Sequence, residues 1–127
     1  MVIGVCDKEK NFTELLDSKI RDYMEKKGHS DFEIRKFTNS RDLLKCITEM
    51  NLVLLDIEVE EKNSGIWVKN YVSFLRRDIR LIFVTKHSEM IMEAFGRYVY
   101  AFLQKKDIDT RLNLVLDKAL VDFDFEQ

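Results

Sequence analysis

The sequence predicts an α/β fold: a doubly wound, five-stranded parallel sheet with helices on both faces. Three observations carry that prediction. The short runs "VIGVC", "LVLLD" and "RLIFVT" are apolar almost throughout, as expected of strands buried on both sides. Segments of helical period separate the runs, so the strands are joined by crossovers, which are right-handed, and not by hairpins. The 127 residues contain no proline, no low-complexity stretch and no internal repeat, which leaves one continuous domain without a linker.

The elements follow in order. "VIGVC" (2 to 6) reads as the first strand. Asn11, with Glu14 three residues on, is the expected cap of a helix with an apolar face of Phe12, Leu15, Leu16, Ile20, Tyr23 and Met24, and Gly28 ends it. "FEIRKF" is a mixed, weaker strand suited to a sheet edge, and Ser40 is the expected cap of a short helix through Leu43, Leu44 and Ile47. After "LVLLD" and the polar loop "EVEEKNSG", a third helix carries Ile66, Trp67, Tyr71, Phe74 and Leu75. "RLIFVT" is the fourth strand, Ser88 caps a helix over "SEMIMEAFGR", "VYAFL" is the fifth strand, and Asp107 opens a last helix through Ile108, Leu112, Val115, Leu116 and Leu120.

Composition excludes several functions. A net charge of −2 gives no basic field, so DNA contact would require another domain. Cys6 and Cys46 form no CxxC or Cys/His cluster, and His29 and His87 have no second ligand at metal spacing; the cysteines read as small buried hydrophobes in a reducing compartment. With no basic leader and no 18-residue apolar run, no membrane association is expected and the location is cytoplasmic.

In an open parallel sheet the working groups gather at the carboxyl ends of the strands. Those ends carry Asp7 and Glu9 after the first strand, Asp56 after the third, Thr85 after the fourth and Lys105 after the fifth. Asp56 follows four consecutive apolar residues, and a carboxylate at the rim of a core needs a partner, a metal or a task. Carboxylates, a hydroxyl and an ammonium in one crevice suit chemistry on a phosphoryl group. A carboxylate attacks phosphorus once cations offset the repulsion between it and the phosphate oxygens, and Mg²⁺, held by oxygen ligands, is the usual cation.

The segments "VCDKE", "LVLLDIE", "IFVTKHSE" and "YAFLQK", in this order and spacing, resemble the receiver domains of two-component response regulators, over nearly the whole chain. The loop before Gly65, "VTKHSE" and "MEAFGRYVYAFLQK" look most like receivers of LytTR-type transcription regulators. The resemblance implies a flavodoxin-like (βα)5 receiver fold with strand order 2-1-3-4-5. It implies Asp56 as phosphoacceptor, Asp7 in the acidic pocket, the Glu58 backbone carbonyl as a metal ligand, Thr85 as the switch hydroxyl with Phe102 as the switch aromatic, and Lys105 as the phosphate-binding lysine. It also implies Mg²⁺ as cofactor, a sensor histidine kinase as partner, and a phosphoacceptor with at most slow autodephosphorylation in place of a turnover enzyme. On this reading residues 1 to 127 are one receiver domain, and a DNA-binding output domain lies outside this chain. A homodimer is expected through Met90, Ile91, Met92, Phe95, Tyr98 and Tyr100, rimmed by Glu89, Glu93 and Arg97.

Three positions depart from the family pattern, the mildest being Phe102, a switch aromatic within the family's range that lacks the hydroxyl of a tyrosine. Lys8 stands where a second acid usually ligates the metal, leaving Glu9 as a further candidate ligand, and Lys106 stands where a proline usually follows the lysine. Lys8 supports an alternative reading, a phosphorylation-independent pseudo-receiver that acts as a protein-interaction module, with an ammonium able to pair with Asp56. A haloacid-dehalogenase-type phosphatase fits less well, because it expects an aspartate two residues after the nucleophile, where Glu58 stands. A flavin binder would need a Ser/Thr/Gly-rich loop after the first strand, and "DKEKN" would repel phosphate.

Overall fold

The computed structural model describes residues 1–59, 64–75, 78–86 and 99–123. Strands β1 (Val2–Cys6), β2 (Glu33–Phe37), β3 (Leu52–Leu55), β4 (Arg80–Thr85) and β5 (Val99–Gln104) form one parallel sheet in the order β2-β1-β3-β4-β5. Helices α1 (Lys10–Lys26), α2 (Ser40–Lys45) and α3 (Ser64–Leu75) and a C-terminal helix (Ile108–Leu120) cover it. The expected helix over residues 88–97, with His87 and the proposed dimer residues before Val99, lies outside the described residues. Tyr100, the remaining member of that patch, is half-buried on β5.

The alternation of side chains along each strand builds two cores. Ile3, Val5, Leu52, Leu54, Ile82 and Val84 pack with Leu16, Ile20 and Met24 of α1 and with Leu112 and Leu116 of the C-terminal helix. Cys6, Val53, Leu55, Leu81 and Phe83 pack on the other face with Leu43 of α2 and with Val68 and Val72 of α3. The strands are apolar throughout for that reason: both faces are interior. Each such buried aliphatic contributes about 1.5 to 3 kcal/mol, so the central strands β1, β3 and β4 hold the fold. The edge strand β2 has no fully buried residue, as its mixed sequence implies.

Several boundaries differ from expectation. Helix α1 starts at Lys10 with Glu9 as cap, so Asn11 lies inside it; the Glu9 carbonyl already accepts from the Phe12 and Thr13 N–H groups. Leu15 is 42% exposed, off the buried stripe. Gly28 takes φ 81°, a left-handed conformation that lets its N–H, with those of Lys27 and His29, return to the last carbonyls of the helix. The cap of α2 is Asn39, whose side-chain oxygen accepts from the Asp42 N–H at 2.8 Å, while Ser40 is the first helical residue. Ile47 belongs to a separate 3₁₀ turn, Ile47–Glu49.

Helix α3 buries a different face from the one its aromatics suggest. Trp67, Tyr71 and Phe74 are 60%, 38% and 80% exposed, while Val68 and Val72 are fully buried. Gly65 explains the choice. Its N–H donates to the Ile57 carbonyl at 2.7 Å, and a methyl group in place of its hydrogen would lie 2.6 Å from the Asp56 carbonyl oxygen. The helix sits so close to the loop after β3 that only small side chains fit between them.

Candidate functional site

The strand order reverses direction between β1 and β3, which opens a crevice at their carboxyl ends. Backbone hydrogen bonds fix the two acids there. The Asp7 N–H donates to the Phe37 carbonyl and the Asp56 N–H to the Cys6 carbonyl, each at 3.1 Å, so both residues continue the ladder one step past the strands. Each carboxylate then accepts a peptide N–H two residues on, Glu9 N to Asp7 Oδ1 at 2.9 Å and Glu58 N to Asp56 Oδ1 at 3.0 Å. Asp7 and Asp56 are buried.

Lys105 joins them. Its Nζ lies 2.5 Å from Asp7 Oδ2 and 3.1 Å from Asp56 Oδ2, and 4.4 Å from the centre of the Phe12 ring, so a cation–π contact from α1 closes the third side. Lys105 begins a 3₁₀ turn, Lys105–Asp107, that runs into the C-terminal helix; with Lys106 in place of proline, the described chain has no cis peptide bond. Thr85, at the end of β4, is buried. It lines a cavity of about 240 Å³ together with Phe102, Leu103, Gln104, Asp107 and Arg111, and Phe102 stacks on Phe83 with ring centres 5.9 Å apart.

The charges do not balance within this cluster. Two buried carboxylates share one ammonium, leaving one negative charge in excess. Burial therefore pushes the Asp7 carboxyl above its ordinary value, against the lowering effects of the Lys105 and Glu9 hydrogen bonds, and the Asp56 charge adds to the rise. Burial acts against the Lys105 ammonium too, but the hydrogen bond to Asp7 and the field of Asp56 outweigh it, so Lys105 is held above its ordinary value and stays charged. A further cation is the electrostatic complement of such a site.

Lys8 does not supply that cation. It is exposed, and the ammonium on Asp56 is that of Lys105, so the pairing of Lys8 with Asp56 that the pseudo-receiver alternative allowed is not the one found. Its position on the turn between β1 and α1 points it to solvent, where hydration outweighs a buried contact. Glu9, the further candidate ligand, has its carboxylate on Lys86 at 3.3 Å. Among the described residues no group of three or more His, Cys, Asp and Glu side chains is placed to hold a metal ion. The donors brought together here are the Asp7 and Asp56 carboxylates, with the Glu58 carbonyl, which the family resemblance implies as a ligand, two residues beyond Asp56 in the chain. That set fits Mg²⁺, which binds through one or two carboxylates and keeps several waters. Among the described residues, no helix is long and apolar enough to cross a membrane. Phe12, expected only on the apolar face of α1, and Gly65 and Lys86 join the site beyond the residues its sequence pointed to. Gly65 alone carried a signal, as an isolated glycine at the start of an apolar helix.

A doubly wound α/β domain with two acids, a lysine and a threonine at its carboxyl edge defines the class of fold and site. No protein-family model and no curated protein matches the chain. Solved structures do. A LuxR-family DNA-binding response regulator from Staphylococcus aureus is 24% identical, with a TM-score of 0.76 over 93% of this chain and 97% of that one. The response regulator TrrA from Thermotoga maritima, in complex with Mg²⁺ and BeF, is 24% identical, with a TM-score of 0.76 over 94% and 98%. A response regulator receiver domain protein from Clostridium thermocellum is 16% identical, with a TM-score of 0.76 over 94% of each chain. The chain has the fold of response regulator receiver domains.

Proposed function

We propose that this chain is a signalling receiver domain that takes a phosphoryl group from a sensor histidine kinase onto Asp56. The observation that carries the reading is the Lys105 ammonium placed on both the Asp7 and Asp56 carboxylates at the carboxyl edge of the sheet. In the transfer, an Asp56 carboxylate oxygen attacks phosphorus and forms a P–O bond. The P–N bond to the donor imidazole breaks, its electron pair stays on nitrogen, and that nitrogen takes a proton. The Glu58 N–H holds one Asp56 oxygen, which fixes the carboxylate for attack, and Lys105 is positioned to receive charge on the phosphoryl oxygens. Asp7, Asp56 and the Glu58 carbonyl would hold Mg²⁺, which when bound offsets the repulsion between nucleophile and phosphoryl group.

Thr85 and Phe102 border one cavity, which supports a relay in which the hydroxyl moves toward the phosphoryl group and the ring takes the vacated space. The output is transcription control of the LytTR type through a DNA-binding domain outside this sequence, with self-association through the face built from residues 88 to 120, in the cytoplasm.

Incubation with Mg²⁺ and acetyl phosphate, read by intact mass, tests the proposal. One phosphoryl adduct is expected, absent in Asp56→Asn; a folded wild-type protein without an adduct overturns it. Lys8, standing in place of an acid, favours a second reading as a phosphorylation-independent interaction module. Under that reading Mg²⁺ does not bind at millimolar concentration, which a titration decides.

A further inference from the structure

The ion pair between Glu9 and Lys86 occupies a particular place in the sheet. Glu9 follows β1 and Lys86 directly follows Thr85, the last residue of β4, yet Lys86 Nζ lies 3.3 Å from Glu9 Oε1. In the order β2-β1-β3-β4-β5, β1 and β4 are not neighbours; β3 lies between them. With parallel strands about 4.8 Å apart, the two side chains bridge roughly 10 Å. The bridge passes across the end of β3, which leads into Asp56.

We propose that Lys86 is a second phosphoryl-binding cation, parked on Glu9 across the mouth of the site and released to the phosphoryl group when Asp56 is modified. This rests on the receiver reading and adds a residue to it. The argument is one of charge. Lys105 is already divided between Asp7 and Asp56 in a cluster with one negative charge in excess. Modification of Asp56 exchanges its single negative charge for a phosphoryl group with close to two, so the site gains about one negative charge whether or not Mg²⁺ already offsets part of it. Lys86 is joined by a peptide bond to buried Thr85, which ties its stem to the edge of the crevice. Its present partner is a single carboxylate, and the two side chains are 63% and 50% exposed, so the pair is weak and exchanges readily. A dianionic group in the crevice outcompetes Glu9 for it, and Glu9 sets how much the exchange costs.

The test is titration of the domain with beryllofluoride, a phosphoryl mimic, at saturating Mg²⁺, followed by the amide resonances of residues 56 to 58. Lys86→Met is expected to weaken binding about tenfold, the effect of losing one partly solvated charged hydrogen bond. Lys86→Arg keeps most of the affinity. Glu9→Gln frees the ammonium and is expected to tighten binding about two- to threefold, and to have no effect when combined with Lys86→Met, because Glu9 acts through Lys86. Both side chains are exposed, so these variants retain the fold. If Lys86→Met and wild type bind with one affinity, Lys86 is a surface ion pair only and the proposal fails while the receiver reading stands. If Glu9→Gln tightens binding equally without Lys86, Glu9 repels the anion directly and the parked ammonium is overturned. A wild type that binds no beryllofluoride removes the receiver reading, and this inference with it.

Discussion

Strand β4 begins and ends beside buried charge, and the two ends treat it in opposite ways. At its start, the side chain of Arg80 is 7% exposed and meets a carbonyl, two carboxylates and two aromatic rings. Nη1 donates to the Ala119 carbonyl at 2.7 Å and lies 2.8 Å from Asp122, Nη2 lies 3.7 Å from Asp78, and the guanidinium sits 5.2 Å and 5.5 Å from the Tyr100 and Phe123 rings. At its finish, beside Thr85, two carboxylates share Lys105 and the cluster keeps an unanswered negative charge. At Arg80 the buried charge is the guanidinium, its two carboxylate partners stand in solvent, and it ties the C-terminal helix to the sheet. A charge left in excess stores affinity for something to come, which is why perturbed groups mark functional sites. The two clusters can be broken independently, and the outcomes should diverge.

The largest effect is expected from Lys105→Met. It strips the cation from two buried carboxylates, and breaking such a pair costs about 3 to 5 kcal/mol at neutral pH. With the cation gone, burial penalises the ionised acids further, so the deficit should shrink as pH falls and they are neutralised. In the wild type, Lys105 is held above its ordinary 10.5, so its contribution is present in full below that pH and is lost as pH rises through the folded value. Urea unfolding across pH checks both limbs. A deficit constant from pH 3 to 8 would mean that the loss is one of packing, not of charge.

Arg80→Leu should cost somewhat less, about 2 to 4 kcal/mol, from an unpaired buried carbonyl at Ala119 and two lost cation–π contacts. Asp78 and Asp122 are exposed, so no stranded charge is added. The deficit should be flat between pH 5 and 9, and beryllofluoride affinity should match wild type. A pH-dependent deficit, or a lost adduct, would show that the two ends of β4 are coupled.

Gly65→Ala separates the site from its support. The added methyl would meet Asp56 backbone oxygen at 2.6 Å and Ile57 Cα at 2.7 Å, and backbone does not yield as a side chain does. About 1 to 3 kcal/mol of stability is expected to go, with weaker adduct formation because the loop that aims Asp56 must move. Unchanged thermal unfolding would mean that α3 yields at Gly65 without cost.

Gly65 also explains what the sequence could and could not reveal. Strand ends were legible, because "LVLLD" and "RLIFVT" admit one burial pattern and the residue after each must stand at the rim. Asp56 and Thr85 followed from that and Asp7 from "VIGVC" in the same way, while the choice of Lys105 over Lys106 rested on the family resemblance; the structure brings the two acids and Lys105 into contact. In helix α3 the aromatics Trp67, Tyr71 and Phe74 pointed to one face, and periodicity alone did not show that the smaller stripe of Val68 and Val72 is the buried one. The close approach at Gly65 selects the small stripe, a tertiary fact. Caps slipped by a residue or two for a similar reason: Asn39 and Ser40 are both capping types, and the strand exit decides which has extended backbone. Arg80 was readable only as the polar start of a strand, since its partners Ala119 and Asp122 lie some forty residues on.

The smallest effect, and the finest test of the contrast, is expected from Asp7→Asn. An asparagine oxygen can still accept the Glu9 N–H, so the turn survives, while the excess charge disappears and Lys105 keeps Asp56. Burial holds the Asp7 carboxyl above its ordinary 3.8, so the folded state binds a proton more tightly than the unfolded chain does. Its contribution to stability is therefore full below pH 3.8 and is lost as pH rises through the folded value, which makes ionised Asp7 a net cost at pH 7. The variant should be more stable than wild type at neutral pH, by up to about 1 kcal/mol, and the gain should close as pH falls toward 4. Mg²⁺ affinity should fall at the same time, since one of two carboxylate donors is gone. Stability that drops at neutral pH would mean that Asp7 and Lys105 form a balanced structural pair like Arg80 and Asp122. The excess charge assigned to the site would then have to be withdrawn.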